Sequence, residues 1–461
     1  MKLTQITIKK LHGYLNSDFS LKDDLVLLVG INGAGKTSTL NAINWMLNMD
    51  MGKLFTEAFE LIDLKFEYLN ENFRFYAEQN NEHCTIYLQN ITTGHSFPPL
   101  VSKLFSDPIE LLKSPSKKAR AFEFANTSTP EPAEIETWEF IKKLPSPMII
   151  GLDRTLYTSK NKEIIVEEQE FARRESSEAH NKITTPLQMV SMLLQRQYAV
   201  HTGELLKLNR VLNETILLSS FEKIYTTEQI AEDLSAPTPA LDEIKNVRNK
   251  VIHFLEDNHN SQRTKVNENT SLQNLSTDKI NEYFDSLTEV LSQKSKSEKG
   301  FDLAYIMNLS QISRVNRLIN AFNDFELKSQ KETAPLDEFL DVVNGFFKDS
   351  AKKLYFTKGT GLLRYDVIDT EGKVKYSGNN INTLSSGERQ ILILLTYIKY
   401  RMERVFLIDE PELSLHVKWQ EDFLNAIQRI KRKGIQIIIA THSPEIIGNY
   451  RENCKILNPY Q

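Results

Sequence analysis

The chain has 461 residues, 40% of them hydrophobic and 25% charged, an ordinary globular composition with room for about three domain-sized units. A net charge of -5 excludes the global basic footprint of a dedicated nucleic-acid binder but leaves room for a local basic groove. Its longest apolar runs, such as Ile391 to Tyr397 and Ile435 to Ala440, fall well short of the roughly 20 residues a spanning helix needs, so no membrane partner is expected.

Cys84 and Cys454 are the only cysteines and lie nearly the whole chain apart, which excludes a cysteine-based zinc site and suits a reducing compartment. The start, Met1-Lys2-Leu3-Thr4, runs directly into alternating polar and apolar residues, unlike a secretory signal. A cytoplasmic location is expected.

In chain order, Leu25-Val26-Leu27-Leu28-Val29 reads as a buried strand, followed by glycines and then by Leu40, Ile43 and Leu47 at helical spacing. That is half of a parallel α/β unit. From Ile62 to Leu88 the period falls to two, as Ile62, Leu64, Phe66 and Tyr68 alternate with Asp63, Lys65 and Glu67, which predicts an antiparallel meander. The Pro- and Ser-containing stretch from Pro98 to Pro147 predicts loops, and Met148 to Leu152 a second buried strand.

Between about residue 160 and 355 the pattern is helical. Leu205, Leu208, Leu212 and Ile216 recur at threes and fours, as do Ile312, Val315, Ile319 and Phe322. No heptad pattern is sustained, and Pro186, Gly203, Pro237 and Pro239 would interrupt one, so a long coiled-coil arm is not expected. Asp257 to Lys299 reads as a mobile loop or as the solvent face of a helical hairpin. From Leu362 the chain returns to strands, then to helix and parallel strand. The expected organisation is an N-terminal lobe over 1–160, a helical insertion over 161–350 and a C-terminal lobe over 351–461.

Gly30-Ile31-Asn32-Gly33-Ala34-Gly35-Lys36-Thr37 fits the phosphate-binding pattern G-x-x-x-x-G-K-S/T between a strand and a helix. Glycines let backbone N–H groups turn inward around phosphates, and the helix N-terminus adds its positive end. Asn32, Gly33, Ala34, Gly35, Lys36, Thr37 and Ser38 are therefore candidate ATP contacts, with Lys36 on the β- and γ-phosphates and Thr37 on Mg²⁺. Val405-Phe406-Leu407-Ile408-Asp409-Glu410 is an apolar strand that delivers two carboxylates to the sheet edge where α/β folds bind ligands. Asp409 is expected to support Mg²⁺ and Glu410 to polarise the attacking water.

Leu384-Ser385-Ser386-Gly387-Glu388-Arg389-Gln390 precedes an apolar helix. Read alone it is a Ser-Ser-Gly turn capping that helix. Beside the other motifs it resembles the signature of ABC-class ATPases in the L-S-x-G-E form of RecF, SMC and OLD-like proteins. The resemblance implies that Ser386, Gly387 and Glu388 bind the ATP held by a second copy of the chain. Pro411 to His416 resembles the D-loop of that class, and Ala440-Thr441-His442-Ser443-Pro444 its histidine switch, which places His442 at the γ-phosphate. The implied fold is α/β: a split ABC-ATPase head, with a mixed sheet carrying the phosphate loop and an antiparallel β-subdomain, interrupted by a large, mainly helical insertion.

A head of this kind without a membrane anchor resembles the standalone ATPases of bacterial anti-phage systems, such as those of Septu and PARIS. The resemblance implies a nucleotide-gated sensor or scaffold that pairs through its heads, with higher homo-oligomers possible, and holds a separate effector nuclease. A DNA-repair ATPase of RecF type and an ATP-bound scaffold with negligible turnover are the alternatives. The short stretch after Asn449 leads to the expectation that no TOPRIM nuclease is appended. Lesser signals are the Lys113 to Arg120 cations, a nucleic-acid candidate, and Lys431-Arg432-Lys433, which suits a helix C-terminus. Arg248-Asn249-Lys250-Val251-Ile252-His253 resembles the R-N-x-x-x-H of HEPN ribonucleases or is simply the wet flank of a helix. Asp153-Arg154 is the candidate for the lobe-connecting element, and Tyr14 for an adenine platform.

Overall fold

The computed structural model describes residues 1–111, 114–127, 129–151, 156–157, 185–218, 238–262, 270–294 and 303–458. They form two compact units, Met1–Arg196 with Glu338–Gln461, and Gln197–Asp337. The first unit opens with β1 (Lys2–Leu11), β2 (Leu15–Ser20), β3 (Leu25–Val29), α1 (Lys36–Asn48) and α2 (Met51–Thr56). It continues through β4 (Leu61–Tyr68), β5 (Glu71–Gln79), β6 (His83–Asn90), β7 (Leu100–Lys103), α3 (Pro108–Leu111), α4 (Pro115–Thr127), α5 (Ile135–Lys143), β8 (Met148–Ile150) and β9 (Leu156–Tyr157). The helices α6 (Pro186–Leu218), α7 (Leu241–Gln262), α8 (Thr270–Lys294), α9 (Leu303–Met307) and α10 (Leu309–Phe347) follow. The chain then resumes the first unit with β10 (Lys352–Phe356), β11 (Leu363–Ile368), β12 (Val374–Asn380), α11 (Ser386–Tyr400), β13 (Val405–Asp409), α12 (Val417–Ile430), β14 (Gln436–Thr441), α13 (Pro444–Ile447) and β15 (Cys454–Ile456).

The central sheet has the order β15-β3-β14-β13-β8-β9, parallel except for the last pair. Both of its faces are buried, so its strands are continuously apolar and successive side chains feed opposite cores. Val26 and Leu28, Val405 and Leu407, and Ile438 and Ala440 face the core shared with α1 and the antiparallel subdomain. Leu25 and Leu27, Phe406 and Ile408, and Ile437 and Ile439 face the core shared with α11 and α12. Burial of those strands stitches the two ends of the sequence into one head, as the mixed-sheet reading requires.

Gln436 reinforces that seam. Fully buried in β14, it accepts from the backbone N–H of Leu3 at 2.8 Å and donates to the carbonyls of Leu3, Leu21 and Asp23. The antiparallel subdomain has the order β2-β1-β4-β5-β6-β7, and β10, β11 and β12 form a second antiparallel sheet.

Residues 98–147 depart from the loops predicted for them, since α3, α4 and α5 lie there. The faces that α4 and α5 bury use small or weakly apolar residues, Ala121, Ala125 and Thr137, beside Ile141, and such faces leave little hydrophobic periodicity. Gly52 of α2 lies so close to the Phe122 ring that a Cβ would collide with it. Both long helices expected in the middle of the chain are present as α6 and α10. The first eleven residues of α6 and the last ten of α10 belong to the head, where Leu187, Val190, Leu194, Phe339, Val343 and Phe347 join its core.

Within the second unit, Ile244 and Val247, Phe284, Leu287 and Leu291, and Ile312, Val315 and Ile319 form a separate core. The segment read as loop or hairpin is helical where described, with α8 packed on α7. Among the described residues no helix is long and apolar enough to cross a membrane.

Candidate active site

The site begins where β3 ends. Gly33 and Gly35 have φ of 84° and 90°, the left-handed region that favours glycine. At Gly30 the constraint is space, because a Cβ would come within 2.8 Å of the Leu457 carbonyl. Lys36 opens α1 and is buried, its Nζ donating to the carbonyls of Gly30 at 2.9 Å and Ile31 at 3.3 Å. The ammonium thus lies folded across its own loop. Asn32 and Gly33 are exposed, Ala34 is buried, and Gly35 and Ser38 are intermediate.

The strand β13 brings the first acid to this loop. Thr37 Oγ1 donates to Asp409 Oδ1 at 3.0 Å. Burial pushes the Asp409 carboxyl up to about 6; the Thr37 hydrogen bond and Lys36 oppose that shift, and the neighbouring Glu410 and Glu412 add to it. A hydroxyl and a buried, undercompensated carboxylate are hard oxygen donors, and Mg²⁺ takes few protein ligands because it keeps several waters. The pair therefore fits Mg²⁺, although among the described residues no group of three or more His, Cys, Asp or Glu could hold a metal ion.

Glu410 follows with φ of 44° and ψ of 58°, a left-handed conformation unusual outside glycine and held by its N–H bond to the Ala440 carbonyl at 2.8 Å. Strain of this kind persists only where the surroundings enforce it, and it often accompanies function. His442, at the end of β14, lies with Nδ1 3.9 Å from Glu410 Oε1 and 3.0 Å from Glu412 Oε1. That same Glu412 oxygen accepts from Thr441 Oγ1 and from the His442 backbone N–H, each at 2.8 Å.

The signature segment caps α11. Ser385 is the N-cap, and its side chain and that of Glu388 form a reciprocal capping box. Ser386 is exposed and Gly387 intermediate, whereas Glu388 is buried with both oxygens on Lys352 Nζ, at 2.9 and 2.8 Å. Glu388 thus braces the turn that presents Ser386. Among the described residues no hydrogen bond joins Ser386 or Gly387 to Lys36, Thr37, Asp409 or Glu410. Gln390 of the same helix donates to the Pro411 carbonyl at 3.5 Å, in the turn that follows the acidic strand.

A match to the AAA ATPase domain family extends over residues 1–447, nearly the whole chain. The chain belongs to that family. This AAA ATPase is 28% identical to UvrABC system protein A of Listeria innocua over 142 residues, 31% of its own length and 13% of the relative's. It is 34% identical over 96 residues to the retron Ec83 probable ATPase of Escherichia coli, 18% of this chain and 17% of that one. The chain thus spans a minor part of these relatives. An Smc head domain from Pyrococcus furiosus, solved bound to the C-terminal domain of ScpA, aligns over 100% of this chain and 94% of its own at 11% identity, with a TM-score of 0.32.

Other candidates lie outside this cluster. Tyr14 is 61% exposed in the turn after β1, and Asp153 and Arg154 fall outside the described residues, as does Lys113. The remaining cations of the Lys113 to Arg120 run lie on the helix α4 and not on a loop, with Lys118 2.9 Å from Glu57. Arg432, after α12, donates to the Arg401 carbonyl and is committed to structure. Arg248 binds Asn281 at 2.7 Å and Asp285 at 2.6 Å, a tie between α7 and α8. The sequence places Glu412 only within the D-loop-like segment Pro411 to His416 and in the crowding of three acids in Asp409-Glu410-Pro411-Glu412, with no role of its own, and it carries no signal for Lys352.

Proposed function

We propose that this AAA ATPase binds ATP with Mg²⁺ on the loop Gly30 to Thr37 and hydrolyses it when Ser386 and Gly387 of a second copy close over the triphosphate. The observation that carries this reading is the convergence of Lys36, Thr37, Asp409, Glu410 and His442 at one edge of the central sheet. Lys36, now spending its ammonium on two loop carbonyls, would exchange them for phosphate oxygens. Thr37 and Asp409 would hold the magnesium ion, which supplies charge neutralisation of the phosphates when bound. Glu410 would orient the attacking water, and His442 the terminal phosphate. Phosphoryl transfer asks a protein chiefly for such positioning and charge stabilisation.

The biological role we assign is a nucleotide-gated sensor or scaffold for a separate nuclease in anti-phage defence. The L-S-S-G-E signature and the large helical insertion support it, and the likeness to a retron's probable ATPase is compatible with it. Nucleotide titration, phosphate release and light scattering of the full chain together test the ATPase reading. Lys36→Ala is expected to abolish ATP binding, and Glu410→Gln to lower turnover by about two orders of magnitude and to persist as an ATP-bound dimer. Slow hydrolysis unaffected by Glu410→Gln would favour ATP as a structural ligand. Turnover of the isolated chain strongly stimulated by duplex DNA would favour repair. Co-expression with the neighbouring reading frame tests the partner: a small nuclease that co-purifies supports defence.

A further inference from the structure

Two carboxylates flank His442, and the nearer is not Glu410, which follows the acidic strand, but Glu412. Glu412 Oε1 lies 3.0 Å from Nδ1 and Glu410 Oε1 3.9 Å, so only Glu412 is within hydrogen-bonding distance. The Glu412 side chain is 4% exposed and that of His442 41%. The two are in ion-pair contact, and because an ionised carboxylate can only accept, a hydrogen bond between them would require the proton on Nδ1. The same oxygen holds the backbone of the switch through Thr441 and His442, while Oε2 is buried without a partner. The turn carrying Glu412 is itself clamped. Gln420 of α12 donates to the carbonyls of Glu412 and Leu415, and Ser443 Oγ donates to Gln420.

We propose that Glu412 is a positioning residue for His442: it takes the Nδ1 proton, fixes the tautomer and the ring's setting, and leaves Nε2 as the nitrogen that meets the terminal phosphate. The proposal deepens the ATPase reading and rests on it for the phosphate. Without a partner, a neutral imidazole favours the proton on Nε2, and the ring is free to turn; which nitrogen works is set by what the other one binds. When Nε2 also carries a proton to donate to a phosphate oxygen, the ring is an imidazolium, and the Glu412 carboxylate balances its charge.

The test is a two-bond ¹H–¹⁵N histidine spectrum of the nucleotide-free full chain, with His442 assigned by its loss in His442→Asn. Wild type is expected to show Nδ1 protonated, Glu412→Ala to revert to the Nε2–H form, and Glu412→Gln, whose amide oxygen still accepts, to keep Nδ1–H. In ATP turnover, Glu412→Ala is expected to lose about tenfold or more in kcat, as loss of an orienting partner typically costs, with KM within about twofold. Glu412→Gln is expected to recover most of that. A bare Nδ1 in wild type, or a Glu412→Ala spectrum unchanged from it, overturns the proposal. Should Glu412→Ala not fold, wild type and Glu412→Gln still decide. If the chain turns over no ATP, the spectra still decide the pairing, and it is the ATPase reading that fails.

Discussion

Thr37 Oγ1 donates to Asp409 Oδ1 across 3.0 Å although 372 positions separate them in sequence. The contact exists because β3 and β13 both flank β14 in parallel, so the helix after one strand and the acid ending the other emerge at the same edge. A large loop between them can be closed cheaply, since closure entropy grows only with the logarithm of length. The head's cores, not the intervening chain, hold the pair together.

That pairing predicts how metal and nucleotide couple. Thr37→Ala removes one oxygen donor and Asp409→Asn the charge. Both are expected to weaken ATP binding in magnesium by about tenfold or more, as losses of single charged or metal-linked contacts do, and to bind like wild type in EDTA. Calorimetric titration with and without magnesium reads the difference. Equal weakening in both conditions would mean that the two residues shape the loop and do not serve the metal.

The brace beneath the signature makes a second prediction. Burial pushes the Glu388 carboxyl up, but Lys352, Ser350 and the Ser385 backbone more than offset it, and the net shift is downward from 4.5. A depressed carboxyl pKa contributes stability that is fully present above the unfolded value and lost as pH falls through the folded one. Lys352→Met is therefore expected to cost about 2–3 kcal/mol at pH 7, because a nearly buried carboxylate loses its partner. The gap from wild type should narrow below pH 4.5. Thermal melts between pH 3 and 8 read it, and a constant gap would assign Lys352 a packing role only.

The motifs were legible because each is contiguous: a glycine loop after an apolar run, two acids ending another, a capped turn before a helix. The change of period marks where the chain turns helical, but not where its two compact units divide. Helices α6 and α10 keep one pattern while Leu194 packs in the head and Val315 in the second unit. Helices α4 and α5 were missed because Ala121, Ala125 and Thr137 carry much of their packing. The Glu412–His442 contact joins residues 30 apart and has no linear signature.

Arg248 distinguishes a ribonuclease motif from a helix tie. Its guanidinium is spent on Asn281 and Asp285. Arg248→Ala is expected to destabilise the protein by about 1 kcal/mol, since the ion pair is partly solvated, and to leave its behaviour toward RNA unchanged. Cleavage of a single-stranded RNA by wild type that disappears in Arg248→Ala and in His253→Ala would restore the catalytic reading.

The geometry of pairing can be tested without a structure of the pair. If each site takes Lys36 from one copy and Ser386 from the other, Lys36→Ala and Ser386→Arg should each be inactive as homodimers, since every site in them is broken. In a heterodimer of the two, one site collects both defects. The other combines the intact loop of the Ser386→Arg chain with the intact signature of the Lys36→Ala chain. Random exchange makes about half of all dimers mixed, so an equimolar mixture is expected to recover about a quarter of wild-type turnover if the two sites act independently, as read by phosphate release. No recovery after verified subunit exchange would mean either that both sites must fire together or that Ser386 serves its own chain. A covalently linked dimer with both changes in one half and the other half wild type separates those two outcomes: turnover survives if Ser386 serves its own chain, and none survives if every site is shared across the pair.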